Sequence, residues 1–129
     1  MDLAKIVEDL GQRYLLVLEE HSHILGGHNG PYYDKETPVR NTAHWVTTFA
    51  FLYRKTKRAE YYKAVEKCAD YLMSAAARPM QASYFCRTNV KKDLSNGTIG
   101  QAWAIEGLVE AYKVTNQQAY LEAAKDVFL

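Results

Sequence analysis

Cysteine and proline are scarce in this chain, charge of one sign is not in excess, and long apolar runs are missing. The two cysteines, Cys68 and Cys86, are too few for a disulfide framework and do not form a close metal-binding pair. Only 3 prolines occur in 129 residues, which leaves long stretches free to be helical. No stretch reaches the roughly 18 apolar residues that a membrane span needs. The first ten residues are acidic and amphipathic, whereas a secretory signal opens basic and continues apolar. The 16 basic and 15 acidic residues leave a formal net charge of +1. A nucleic-acid partner calls for a clustered basic face, and an anionic membrane makes a similar demand. These absences lead us to expect a reduced, cytoplasmic protein with neither nucleic acid nor membrane as partner, and nothing in the sequence calls for a cofactor or a metal.

What is present is an ordinary globular balance, 48% hydrophobic and 24% charged, enough for one domain over residues 1–129. Ten tyrosines suit partly wet helix interfaces, or a surface that stacks on sugars.

Apolar spacing predicts an all-α chain of five helices. The first covers residues 2–23, with Asp2 as N-cap, a stripe of Leu3, Ile6, Val7, Leu10, Tyr14, Val17 and Leu18, and the Gly26-Gly27 pair as its stop. The second covers residues 41–56, capped by Asn41 or Thr42 behind Pro38. The third covers 59–78 and ends at Pro79. The fourth covers 99–115, and the fifth runs from 118 to the end. The second and fourth are apolar on most sides and read as inner helices; the other three alternate with charge and read as outer ones.

The chain also repeats. A shift of 59 residues brings Ala43 onto Ala102, Tyr53 onto Tyr112, Thr56 onto Thr115, Tyr61 onto Tyr120 and Ala64 onto Ala123. A period of this size signals stacked helical hairpins. Tight turns follow the second and fourth helices, and long loops follow the first and third. Alternating helix direction therefore puts both long loops at one end, beside the first turns of the inner helices, where function tends to reside.

This alternation resembles the six-hairpin (α/α) toroids, a fold shared by many glycosidases, polysaccharide lyases and sugar epimerases. Glu19-Glu20-His21-Ser22-His23, Gly26-Gly27, Arg40, Trp45 and Leu52-Tyr53 look like the opening of an N-acylglucosamine 2-epimerase-type barrel. Residues 99–105, then Ala111-Tyr112, Thr115 and residues 120–124, look like the helical domain of glucuronyl C5-epimerases. Thr42 stands where the epimerase-type barrel usually has an arginine, three residues before the tryptophan. Five helices make about two and a half hairpins. The resemblance thus implies part of a toroid, completed by a homo-oligomer or by further hairpins of a longer chain. It also implies a saccharide or uronic-acid-containing glycan as ligand, and epimerase, hydrolase or lyase chemistry.

In a toroid the first turns of the inner helices face a central funnel. That makes Trp45, Gln101 and Trp103 candidate sugar-binding residues and His44 a candidate catalytic one, although all four also suit packing between inner helices. The loop over residues 29–36 offers Tyr32 and Tyr33 as a wall and Asp34 or Glu36 as acid or base; Asp93 of the other loop is the opposing carboxylate. The same residues also read as a solvated turn. Arg40 joins the binding set. Glu106, with Glu110 and Lys113, marks a polar stripe that either enters the funnel or stays wet. Arg87, Lys91 and Lys92 make the second long loop basic, suited to an anion or to solvent. His21 and His23 read as favourable charge near a helix C-terminus. The competing function is a non-enzymatic helical-repeat module for protein partners.

Overall fold

The structure, a computed structural model, describes residues 2–129. Five α-helices dominate it: α1 (Leu3–His21), α2 (Val39–Thr56), α3 (Ala59–Met73), α4 (Gly97–Thr115) and α5 (Gln118–Phe128). A small antiparallel hairpin, β1 (His28–Asn29) and β2 (Asp34–Lys35), lies between α1 and α2. The all-α reading of the sequence holds. No helix among the described residues is long and apolar enough to cross a membrane.

The helices form two layers. The outer helices α1, α3 and α5 lie side by side, and the inner helices α2 and α4 pack across them and against each other. The core fills the space between the layers with Phe49, Tyr61, Val65, Cys68, Leu72 and Leu108, each fully buried. Side chains of this size contribute about 1.5–3 kcal/mol each on burial. The inner helices approach closely because Gly107 faces Ala43; a Cβ at Gly107 would stand 3.1 Å from the Ala43 Cα and carbonyl oxygen.

The repeat is visible atom by atom at the tight turns. The Thr56 and Thr115 hydroxyls each donate to a carbonyl four residues earlier, Leu52 and Ala111, at 2.8 Å. Each hydroxyl then accepts from the amide two residues on, Arg58 or Gln117. Lys57 and Asn116 both turn left-handed, at φ 59° and 58°, and donate to Tyr53 and Tyr112 at 2.8 Å. Tyr61 and Tyr120 then reach back to the preceding outer helix. Tyr61 bonds the Gln12 carboxamide at 2.5 Å, and the Tyr120 hydroxyl donates to Asp70 at 2.8 Å.

Helix ends differ from the sequence reading in four places. Asp2 does cap α1, accepting from Ala4 and Lys5, but the helix stops at Ser22, which turns left-handed at φ 63°. Gly26 serves another purpose: a Cβ there would lie 2.2 Å from the Glu36 carbonyl, so only glycine lets the loop pass β2 this closely. The second helix starts directly after Pro38, two residues early, because Asn41 and Thr42 do not cap it. The third stops at Met73 rather than Arg78. The Ser74 hydroxyl and amide both donate to the Tyr71 carbonyl, a local alternative to the next helical bond. The fourth begins two residues early, at Gly97, whose amide donates to the Asp93 carboxylate at 2.6 Å, while Asn96 at the cap position makes no side-chain bond.

Candidate functional site

Both long loops lie at the same end and are tied together. Glu36 bridges to Arg87 in the backbone, and the Thr37 amide donates to Cys86 at 3.1 Å. The Thr37 hydroxyl donates to Phe85 at 2.5 Å, and the Thr88 hydroxyl donates to Lys35 at 3.0 Å. Asp34 adds a charged clasp, accepting from Asn89 at 3.3 Å and pairing with the Lys92 ammonium.

The two carboxylates proposed to oppose each other are both spent on this scaffold. Hydrogen bonds from Lys92 and then Asn89 hold Asp34 below the usual carboxylate range. Asp93 is held low by the Ser95 hydroxyl and by the Ser95 and Gly97 amides, which it receives at 2.7, 2.9 and 2.6 Å. A general acid at neutral pH needs the opposite shift. These groups anchor the loop end as carboxylates.

Gln101 is likewise occupied. Its carbonyl accepts from the Tyr84 amide at 2.7 Å, and its NH2 donates to the Tyr84 and Ser95 carbonyls at 3.1 and 3.2 Å. Trp45 lies on the far side of α2, stacked on Tyr14 of α1 with ring centroids 3.9 Å apart and against Phe49 at 5.1 Å. It joins α1 to α2. Tyr32 and Tyr33 stand exposed on the hairpin between β1 and β2. The Tyr33 ring lies 5.1 Å from His28, and Lys92 lies over Tyr32 at 5.2 Å.

Three of the proposed residues do converge. Trp103, half-buried on α4, meets the exposed His44 of α2 edge to face at 5.8 Å. The Arg40 guanidinium, one turn before His44, sits 5.5 Å from the Trp103 ring centre. Glu106, one turn after Trp103, is exposed on the same helix. Further along, Arg54 crosses from α2 to Glu110 at 2.7 Å, and Lys113 joins it at 2.8 Å. Burial pushes Glu110 up, but those two cations outweigh it and the net shift is downward.

Beneath this cluster lies Glu36. Its side chain is only 4% exposed and faces Arg40 at 2.9 Å. The angle is not that of a hydrogen bond, so this oxygen carries an ion pair alone. Arg40 therefore divides its charge between a buried carboxylate and an indole face. Glu36 also lines a shallow cleft of about 550 Å³ beside the hairpin with Leu25, His28, Tyr33 and Lys35. A sequence reading can name Glu36 as a loop carboxylate, but not as the buried partner of Arg40; the signal available is the i, i+4 opposite charge across the start of α2. The nearby Cys86 thiol is pushed up by burial, and then by Glu36, to about 11, which keeps it protonated and inert.

Comparison with known proteins adds one relation. No family model matches the chain, and no solved structure matches it. Over 127 residues, 98% of its length, it is 37% identical to archaeal glycosylation protein Q of Haloferax volcanii, and it spans about a third (34%) of that protein.

Proposed function

We propose that the chain is a glycan-handling module, a segment of an (α/α) toroid whose loop end presents Trp103, framed by Arg40 and His44, to a saccharide. The observation that carries this reading is the 37% identity, over nearly the whole chain, to a glycosylation protein. The local chemistry supports it. An indole offers an apolar face for a sugar ring. A guanidinium offers a fork matched to a carboxylate, which favours a uronic-acid-containing glycan over a neutral one. Tyr32 and Tyr33, exposed on the adjoining hairpin, supply further stacking surface.

Within an epimerase, glycosidase or lyase, this segment binds and orients. Asp34, Glu36 and Glu110 are each held by a cation, whereas bond cleavage by paired carboxylates requires one acid and one base at a defined separation. Glu106 and His44 are the exposed groups on the inner helices that can take an acid–base role. The second reading, a helical-repeat module for protein partners, is favoured by the exposed Leu3, Ile6 and Leu10 on α1.

The test is a nuclear magnetic resonance titration with a glucuronic-acid oligosaccharide, using a neutral glucose oligomer as control. We expect shifts at the Trp103 indole, Arg40 and His44, stronger for the acidic sugar. We also expect them to disappear in Trp103→Ala while the fold is kept. No perturbation at Trp103 with either sugar, alongside a stable protein complex in pull-down, leaves the protein-partner reading in its place.

A further inference from the structure

The end of the helix array carries an apolar groove of about 260 Å³ between α4 and α5, lined by Ile105, Val109, Leu121, Ala124, Phe128 and Leu129. Moved back by the 59-residue repeat, these positions become Val46, Ala50, Tyr62, Val65, Ala69 and Asp70. Val46, Ala50, Val65 and Ala69 are fully buried. These residues lie on α2 and α3, which pack on each other, and α4 packs on both. The terminal groove is thus the second copy of a seat that is filled in the first. Ala102, exposed on the same helix α4, corresponds to Ala43, against which Gly107 packs.

The occupant can be specified from the helix that fills the first seat. The positions that α4 buries are Gly100, Ala104, Gly107, Leu108 and Ala111, small residues with one leucine. A second copy of this chain does not meet that requirement. The residues of α2 that correspond to Ala104 and Gly107 are Trp45 and Thr48, too large where a single Cβ already comes within 3.1 Å of backbone. The helix that a head-to-tail copy brings first is α1, an outer helix, which leaves the inner place empty.

We infer that the groove seats an inner helix of a further hairpin in the same 59-residue register, with glycine or alanine at the positions matching Ala104 and Gly107. The Haloferax protein, of which this chain spans 34%, has the length for such hairpins. This inference rests on the repeat and the groove and is independent of any glycan.

The experiment appends a second copy of residues 71–129 directly after Leu129, which preserves the register, and reads hydrogen exchange in α4 and α5. The groove-lining amides of α5 should exchange at least about tenfold more slowly than in the 129-residue protein. Gly107→Thr in the appended copy alone should cancel the gain. A stapled peptide of residues 97–115 added to the 129-residue protein gives a second readout, with methyl shifts expected at Ala102, Ile105 and Val109. Unchanged exchange together with no peptide shift overturns the inference, as does equal protection by the Gly107→Thr copy. A dimer of the 129-residue protein that Ile105→Asp converts to monomer assigns the groove to self-association instead and also overturns it.

Discussion

Thr42 holds the α1–α2 loop to the bundle, and replacing its hydroxyl by a methyl group should be among the costlier single changes in the chain. The side chain is fully buried. Its hydroxyl accepts from the Ile24 amide at 3.1 Å and donates to the Ile24 carbonyl at 3.2 Å. Ile24 is itself 1% exposed, so water cannot replace either bond without opening the loop. Thr42→Val keeps the volume and strands one buried donor and one buried acceptor, each worth about 1–3 kcal/mol when left unpaired. The added methyl returns less than about 1 kcal/mol. A net loss of about 1–5 kcal/mol follows, a large share of the roughly 5–15 kcal/mol that holds a domain folded. Urea denaturation should show a lower midpoint with an unchanged slope. Thr42→Ser keeps the hydroxyl and loses only a methyl, so it should cost about 1 kcal/mol. A Thr42→Val loss below about 0.5 kcal/mol, or a serine variant less stable than the valine one, refutes the argument and makes the position one of packing alone.

Three further outcomes are expected. Gly100→Ala places a Cβ 2.0 Å from the Ser95 carbonyl and 2.9 Å from the Cys86 sulfur, so overpacking of about 1–3 kcal/mol should outweigh a helix-propensity gain of about 1 kcal/mol, as a lower thermal midpoint. Trp45→Ala removes a ring packed against two others and should cost about 2–4 kcal/mol in urea; Trp103→Ala, whose ring meets a guanidinium and an exposed imidazole, should cost less, and the reverse order would mean the two faces of α2 are misassigned. Asp34 and Asp93 both sit below their unfolded value near 3.8, so their contribution is present above that value and is lost as pH falls through the lower folded values. The Gly97 and Thr88 amide resonances should therefore move below about pH 3.8 while those of α3 stay fixed, and loosening already near pH 6 would point to a histidine instead.

The helices were legible in the sequence because their signals are local. Thr56 and Thr115 carry their own turn chemistry, and the spacing of Tyr61, Val65, Cys68 and Leu72 writes the buried face of α3 directly. The helix ends were less legible wherever a side chain had a distant alternative. Thr42 and Asn41 look like caps, yet they bond Ile24 and Leu25, which no window around residue 42 contains. The same limit governs the site. Trp45 and Trp103 share a residue type and a nearby helical position, but Tyr14 of α1 claims the first and Arg40 the second. The Glu36–Arg40 pair was written as an i, i+4 spacing, whereas the backbone bridge from Glu36 to Arg87 of the second loop was not.

The two ends of the bundle treat the repeat differently. At the tight-turn end the same residues recur, Thr56 with Thr115 and Tyr61 with Tyr120, because one backbone problem is solved twice. At the loop end the positions recur with changed residues. Thr42 and Gln101 are 59 apart and do one job, each taking the amide and the carbonyl of a single loop residue, Ile24 or Tyr84. The longer glutamine also reaches Ser95, in a loop that stands further off. His44 and Trp103 are likewise 59 apart and touch across the inner helices. A position released from the turn chemistry is free to take whatever side chain a ligand demands. On the glycan-handling proposal, substitutions in the row begun by His44 and Trp103, with Arg40 one turn outside it, should alter binding at little cost in stability, whereas changes at the threonine turns should do the reverse.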